Sequence, residues 1–184
     1  MPHDLASHPV DLDQLIGTFY RDSKRDGGPL GRFTLVDDIA ATAGSLLNHQ
    51  HHMTVTVEKH YGCPVDVVVH RYDQVDGRYV REITLVEQCN GKPVQYGIVR
   101  LDPGALDPPV WRKIESRQIP LGRVLIDHDV LREVELKQLW RIESGPALAD
   151  YLNIDDRTIV YGRTALIRCD RQPAIELLEI IAPV

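Results

Sequence analysis

Apolar residues change from a helical to a strand-like spacing along this chain. Between Pro9 and Tyr20 they recur on one helical face, at Leu12, Leu15, Ile16 and Phe19. Asp11 precedes this face and is a candidate N-cap, so a helix is predicted here. From Met53 onward, MTVTVEKHYG and VDVVVHRYDQ are rich in Val and Thr and are interrupted at Gly62 and Pro64. This pattern predicts β-structure.

The clearest local pattern is YVREITLVEQCNGKPVQYGIVRL, in which Asn90-Gly91 separates two runs that could pair directly. Asn tolerates positive φ and Gly has no Cβ to clash, so the pair suits a type I′ turn. The sequence therefore predicts a β-hairpin centred on Asn90-Gly91.

The remaining segments support an α+β fold. Pro108 to Gln118 predicts a helix that starts at its prolines and ends in a corner at Pro120 and Gly122. The other segments comprise a loop over 21–31, a short helix or a loop over 34–47, a helix or strand over 131–143, and strands over 158–169 and 174–181 around a turn at Asp170. Strands joined by short turns favour an antiparallel sheet.

Length and charge describe one soluble domain. The chain has 184 residues and 43% hydrophobic residues, enough for an ordinary core. Its formal charge of −6 argues against a general nucleic-acid binder, so any anion must be bound locally. We expect residues 1–52 to form an N-terminal helical and loop segment of the same domain, and residues 53–184 to form its core.

The sequence carries no targeting or membrane segment. It has no long apolar run, and its first residues have neither a basic start nor a hydrophobic stretch, so we expect a cytoplasmic protein without membrane insertion. The three cysteines, Cys63, Cys89 and Cys169, lack CxxC spacing. They indicate neither a disulfide framework nor a structural zinc site, and are expected to be small buried residues.

Several motifs for common chemistry are missing. GxGxxG, the Walker loop and GxSxG do not occur, which excludes the usual dinucleotide, nucleotide and Ser-hydrolase sites. His49, His51, His52 and His60 are clustered without standard metal spacing, so a solvated loop is favoured over a metal site. Asp127, His128 and Asp129 could act in acid/base chemistry, but such residues beside a turn more often cap backbone.

Four short motifs resemble, in order and spacing, those of the chorismate pyruvate-lyase family. They are VREI (80–83), IPLGR (119–123), YGR (161–163) and LLEIIAP (177–183). The resemblance extends from about Met53 to Pro183. It implies a curved antiparallel sheet with helical flaps over a ligand pocket, and cofactor-free conversion of chorismate to 4-hydroxybenzoate and pyruvate for a quinone or phenolic-lipid pathway.

The resemblance also implies roles for individual residues. Arg81 would bind the ring carboxylate with backbone N–H groups at Met53 and Leu121, and Glu179 would hydrogen-bond the ring hydroxyl, so that Arg81 and Glu179 are the candidate catalytic residues. Gly122 would let the backbone approach the substrate. Arg123 and Arg163 would anchor the enolpyruvyl carboxylate. The chain departs from the family at Gly97-Ile98, where the better-known enzymes carry Gly-Arg.

Structural explanations of the same residues remain open at the level of sequence. Arg81 could pair with Glu82 or Glu87 on the sheet, and Arg123 or Arg163 could close a salt bridge at the corner. Met53 could simply fill the core. Glu179 lies in an otherwise apolar run, so it requires a partner or a raised pKa.

Two other function classes compete with the lyase. The same fold is similar to that of effector-binding domains of transcription regulators, in which a pocket binds a small molecule, such as an aromatic acid, without chemistry. No helix-turn-helix pattern precedes the matched region, which favours the enzyme. A metal-dependent enzyme built on the His cluster is the weakest reading. Oligomeric state is left open.

Overall fold

A computed structural model describes residues 9–21 and 27–184. These residues form six α-helices and seven β-strands. The helices are α1 (Leu12–Phe19), α2 (Ala41–Leu47), α3 (Met53–Tyr61), α4 (Pro108–Glu115), α5 (Leu121–Asp127) and α6 (Pro146–Leu152), with a 3-10 turn at Pro103–Ala105. The strands are β1 (Gly31–Val36), β2 (Val65–Val75), β3 (Arg78–Glu87), β4 (Pro93–Leu101), β5 (Arg132–Ser144), β6 (Ile159–Cys169) and β7 (Gln172–Ile181).

The strands form one seven-stranded sheet in the order β1-β5-β6-β7-β4-β3-β2. Every neighbouring pair is antiparallel. Short loops join β2 to β3, β3 to β4 and β6 to β7, and the β4–β7 pairing unites the two halves of the sheet. The predicted α+β fold with a curved antiparallel sheet in a single domain is confirmed.

Helices cover both faces of the sheet. On one face, α1 and α6 pack on a cluster that includes Val80, Ile98 and Leu178. On the other face, α2 to α5 pack on clusters that include Val99, Leu177 and Ile83. Because side chains alternate along a strand, neighbouring residues belong to different layers.

The predicted first helix is confirmed. α1 begins after Asp11, whose carboxylate accepts a hydrogen bond from the Gln14 N–H at 3.1 Å. Leu12, Leu15 and Ile16 are buried on its inner face. The following predicted loop falls partly on residues 22–26, which lie outside the described residues.

The predicted strand over 53–62 is wrong, because this segment is helix α3. Its buried residues Met53, Thr54 and Val57 follow a helical spacing, and Gly62 ends the helix in the left-handed region at φ 65°. The β-propensity of Val and Thr is overcome because a helix here packs against both the sheet and α5. The next predicted strand, now β2, is confirmed.

The hairpin around Asn90-Gly91 is confirmed, but its predicted type I′ turn is wrong. Five residues separate β3 from β4, and Gly91 alone among them has positive φ, at 71°. The Gly91 N–H donates to the Glu87 carbonyl oxygen at 2.7 Å. The two-residue turns with paired positive φ values lie instead at Asp76-Gly77 and Asp170-Arg171.

The corner after α4 differs from the prediction in one respect. Pro120 does interrupt the chain, but Gly122 lies inside a new helix, α5, rather than in the break. The ambiguous segment 131–143 is strand β5, and the segment 34–47 contains both β1 and α2. The two predicted C-terminal strands are confirmed as β6 and β7.

The absence of a disulfide was predicted wrongly. Cys63, just after α3, is bonded to Cys89 in the β3–β4 loop, with Cα atoms 6.3 Å apart. Pairing of Val65 in β2 with Glu87 in β3 brings the two segments together, although 26 positions separate them in sequence. Cys169 is free and buried, and burial raises the pKa of its thiol to about 11.

Among the described residues, none of the helices combines the length and the apolar character that spanning a membrane requires.

Candidate functional site

A narrow cavity lies between the sheet and the helices α3 and α5. The sheet contributes its floor, with Arg81, Ile83, Leu85, Gln95, Gly97 and Glu179 among the lining residues. The first turns of the two helices contribute its cover, with His52, Met53, Thr54, Leu121 and Gly122. The cavity has a volume of about 40 Å³, which leaves room for a few water molecules.

Arg81 is the charged residue of the floor that lacks a counter-ion. Its side chain is among the largest fully buried ones, at 1% exposure. Nη1 donates one long hydrogen bond, 3.4 Å, to the Ile114 carbonyl oxygen, and Nε has no partner among the described residues. Burial lowers the pKa of Arg81, and nearby Tyr79 opposes this shift. The arrangement leaves a positive charge that needs an anion.

The expected alternative partners of Arg81 do not neutralise it. Glu82 is the next residue on β3, so its side chain enters the opposite layer, where Arg71 pairs with it. No salt bridge joins Arg81 to Glu87 in the part of the chain that the structure describes. Arg81 is therefore available to a ligand.

Glu179 shares the cavity with Arg81 but has a partner. Its Oε2 accepts a hydrogen bond from Arg163 Nε at 2.7 Å, and Arg163 is directly opposite on β6. Gly97 is opposite Glu179 on the other side, in β4. Gly97 and Glu179 both line the cavity, and the Ile83 side chain lies 3.7 Å from where a Cβ of Gly97 would be.

Arg163 itself lies outside the cavity lining and supports one of its walls. Its guanidinium donates to the carbonyl oxygens of His49 at 2.7 Å, His51 at 2.9 Å and Leu47 at 3.3 Å. These bonds fix the loop that leads from α2 into α3. Each of the three guanidinium nitrogens of Arg163 donates a hydrogen bond to a protein oxygen, so Arg163 is engaged within the protein.

Arg123 is also outside the lining. It projects from α5 and forms a salt bridge with Glu58 of α3, and both side chains are partly exposed. Arg123 and Arg163, the two predicted anchors of a second carboxylate, thus each form a salt bridge. The salt bridge of Arg123 lies near the corner before α5, whereas Arg163 joins β6 to β7.

Met53, Leu121 and Gly122 do line the cavity, where the two helices approach each other closely. A Cβ on Gly122 would lie 2.9 Å from Thr54 Oγ1 and 3.2 Å from His52 Cβ. Gly122 therefore permits contact between α5 and α3. The His52 N-cap of α3 makes no side-chain cap bond, so first-turn backbone N–H groups at Met53 and Thr54 have no partner within the helix.

Three polar lining residues, His52, Thr54 and Gln95, were not predicted. His52 Nε2 accepts a hydrogen bond from Arg132 Nε at 2.7 Å, and burial followed by the charge of Arg132 lowers the pKa of His52 to about 4. Gln95 interrupts an apolar run in β4 at 3% exposure. That interruption was the sequence pattern that could have identified it.

The other histidines form no metal centre among the residues described. The His49 and His51 rings stack with centroids 5.5 Å apart, and His49 Nε2 is 2.7 Å from the Leu46 carbonyl oxygen. Burial, then the charge of Arg163, lowers the pKa of His49. These rings hold the α2–α3 loop. Asp127 ends α5, and His128 and Asp129 follow it on the surface.

The opposite layer contains a second buried charge, Glu82, with a full set of partners. Its carboxylate accepts hydrogen bonds from the hydroxyls of Tyr20 and Tyr96 at 2.6 Å, from Tyr151 at 3.1 Å, and from Arg71 Nε at 2.7 Å. Burial alone raises the pKa of Glu82, but the bonds from Arg71, Tyr20 and Tyr96 outweigh it and keep the pKa low. This cluster has no vacancy for a ligand.

Comparison with known proteins shows likeness of fold. No protein-family model and no curated sequence matches the chain. PhnF, from Mycobacterium smegmatis, matches with a TM-score of 0.52 and 12% identity over 73% of this chain and 64% of that chain. The effector domain of PhnF alone matches with a TM-score of 0.52 and 12% identity, over 72% of this chain and 88% of that domain.

A second regulator has the same fold. A ligand-binding domain from Bordetella bronchiseptica, assigned to the GntR family of transcriptional regulators, matches with a TM-score of 0.50 and 10% identity. The match covers 64% of this chain and 85% of that domain. At such identities the likeness establishes the fold alone.

The expectation of a chorismate lyase is therefore wrong. The structures named above are regulator domains, and neither a family model nor a curated sequence supports the four-motif resemblance. Arg123 and Arg163, the predicted anchors of a second carboxylate, each form a salt bridge in the structure. The predicted enzymatic activity and the substrate chorismate have no support.

Proposed function

We propose that this chain is a non-catalytic ligand-binding domain of the effector-domain type, and that its cavity binds a small organic anion such as an aromatic acid. The observation that carries the proposal is the buried Arg81 guanidinium, which has an unpaired Nε and no counter-ion among the described residues. A ligand carboxylate would supply the missing charge and hydrogen bonds.

The surroundings of Arg81 suit an anion with an apolar body. Ile83, Leu85 and Val99 line the floor beside it. Glu179 does not cancel the charge of Arg81, since Arg163 already pairs with Glu179. The cavity therefore keeps one net positive charge in an apolar enclosure, where it attracts a carboxylate more strongly than at the surface.

Glu179 serves the ligand as a hydrogen-bond acceptor in this proposal. One of its oxygens accepts a hydrogen bond from Arg163, and Glu179 lines the cavity. An ionised carboxylate only accepts hydrogen bonds. A hydroxyl or N–H group on the ligand, near the middle of the cavity, fits this position.

Entry of a ring-sized ligand requires the cover to move. The closed cavity is small, and its cover is formed by two short helices in contact at Thr54 and Gly122. Outward movement of α3 or α5 enlarges the space without disturbing the sheet. Ligand binding would then stabilise a particular position of these helices, which is how an effector domain responds to its ligand.

The proposal is tested by titrating the protein with benzoate and 4-hydroxybenzoate. Isothermal titration calorimetry should detect binding, and the Arg81 Nε–H resonance in a ¹⁵N NMR spectrum should shift during the titration. Arg81→Met should weaken binding by about tenfold or more, because a charge-assisted hydrogen bond contributes ~1.5–3 kcal/mol.

Arg141→Met is the matched control, since it removes an exposed guanidinium of β5 that does not line the cavity. It should leave the affinity within about twofold of wild type. Equal losses in the two variants, or no binding of either probe by the wild-type protein, would contradict the proposal.

A further inference from the structure

The cavity contains a second unsatisfied polar group, the side-chain amide of Gln95. Gln95 is 3% exposed, and its Oε1 is buried without a hydrogen-bond partner among the described residues. Three buried side-chain atoms share this condition: Tyr79 Oη, Arg81 Nε and Gln95 Oε1. Two of the three residues line the same cavity.

The cross-strand neighbours of Gln95 offer its side chain no hydrogen-bond partner. Its cross-strand neighbours are Leu85 on β3 and Ile181 on β7, which are both apolar and buried. A buried amide without a hydrogen-bond partner destabilises the folded protein. A core position with apolar neighbours would carry Leu or Met at lower cost, so the amide requires an explanation outside the packing.

The β-sheet register places Gln95 at the far end of the cavity from Arg81. Arg81 is opposite Val99 on β4, and Gln95 is four residues from Val99 on the same strand. Four residues span about 13 Å along a strand, and alternation puts both side chains on the cavity face. Glu179, opposite Gly97, lies between these two levels.

The two vacancies are chemically opposite. The guanidinium of Arg81 offers donors and a positive charge, whereas Oε1 of Gln95 offers an acceptor. We infer that Gln95 determines ligand specificity, by accepting a hydrogen bond from a hydroxyl or N–H group at the end of the ligand remote from its acid group. This inference rests on the proposed function and extends it to the class of ligand.

A ligand of this class carries its acid group at one end and its hydroxyl or amino group at the other, in the order that Arg81 and Gln95 have along the sheet. 4-Hydroxybenzoate has this arrangement and serves as the probe.

Matched ligands test the inference. The affinities of benzoate and 4-hydroxybenzoate, measured by calorimetry, differ only through the terminal hydroxyl. The wild-type protein should prefer 4-hydroxybenzoate by about fivefold or more, because one hydrogen bond to a buried group contributes ~1 kcal/mol or more. Gln95→Met, which keeps the length of the side chain, should bind both ligands with the affinity that the wild type has for benzoate.

Two controls separate Gln95 from its neighbours. Thermal melting should show that Gln95→Met is at least as stable as wild type, since it replaces an unsatisfied amide with an apolar group of similar shape. Glu179→Gln shows which acceptor binds the hydroxyl. A preference that survives in Gln95→Met but disappears in Glu179→Gln would assign the hydroxyl to Glu179 and overturn the inference.

Failure of the inference differs from failure of the proposed function. If both ligands bind equally well to the wild type and both need Arg81, the proposed function holds and the role of Gln95 is refuted. If neither ligand binds, or if Arg81→Met binds both as tightly as wild type, both proposals are refuted.

Discussion

Arg81 and Glu82 are adjacent on β3, are both almost fully buried, and have opposite environments. Glu82 faces the layer of α1 and α6, where three tyrosine hydroxyls and Arg71 surround its carboxylate. Arg81 faces the layer of α3 and α5, where its guanidinium donates one long hydrogen bond to a backbone carbonyl oxygen. The two side chains are therefore equally buried, but only Glu82 has a full set of hydrogen-bond partners.

The difference separates a structural site from a binding site. A fully satisfied buried charge joins elements, and Glu82 connects residues next to α1, within α6 and on β2 and β4. An unsatisfied buried charge costs folding free energy, and such a cost is retained where another molecule can repay it. The proposed function therefore assigns the ligand to the face of the sheet that carries Arg81 and Gln95.

Removal of the Glu82 carboxylate should have the largest effect on stability. We expect Glu82→Leu to lower the free energy of unfolding by about 3–5 kcal/mol, because it leaves a guanidinium and three hydroxyls without their shared partner. Urea denaturation measures the change. Glu143→Leu, at an exposed position of β5, should change stability by less than about 0.5 kcal/mol. Similar losses in the two variants would show that the Glu82 cluster contributes little.

Acidification should lower the free energy of unfolding through His52, which lines the cavity. The pKa of this imidazole is lowered to about 4 in the folded protein, from an ordinary value near 6.5. Between these pH values the unfolded chain binds a proton that the folded protein excludes, so stability falls as pH decreases from 6.5 to 4. The contribution of His52 reaches about 3 kcal/mol at the lower limit.

The variant His52→Gln isolates this contribution. The free energy of unfolding, measured by urea denaturation from pH 4 to pH 7, should depend less steeply on pH than in wild type. His128→Gln alters an exposed histidine after α5 and should keep the wild-type slope. An unchanged slope in His52→Gln would mean that His52 titrates normally.

The smallest expected effect has the opposite sign. Arg81→Met should raise the free energy of unfolding by about 1 kcal/mol, because it replaces an uncompensated buried charge with an apolar side chain. Arg163→Met, the same substitution at an arginine with a full set of partners, should instead lower it. Thermal denaturation distinguishes the two signs, and destabilisation by Arg81→Met would indicate that Arg81 is satisfied in the unliganded protein.

Local patterns predicted much of the fold. The Asp11 cap with its helical face, the hairpin near Asn90-Gly91 and the two C-terminal strands follow from interactions within a few residues or between consecutive strands. The segment 53–62 did not follow from local pattern. Its Val and Thr favour a strand, but packing against α5 and the sheet outweighs that preference.

The candidate site was predicted in part, through a resemblance that proved misleading about chemistry. Arg81, Glu179, Met53, Leu121 and Gly122 do lie around one cavity. The sequence could not show that Arg163 pairs with Glu179 and that Arg123 pairs with Glu58, because each pair depends on which elements meet. Those ion pairs decide which arginine remains free for an anion.

The sequence by itself determined that β3 and β4 are consecutive strands and that side chains alternate between two faces along each of them. The register set by the five-residue loop, which the sequence did not predict, places Arg81 and Gln95 on the same face. Alternation is a property of the extended chain and needs no partner. The tertiary structure alone decided that α3 is a helix above this face, that Cys63 meets Cys89, and that two polar groups are buried there without partners. Whether a buried polar group has a hydrogen-bond partner depends on every atom that surrounds it, and those atoms come from segments far apart in the chain.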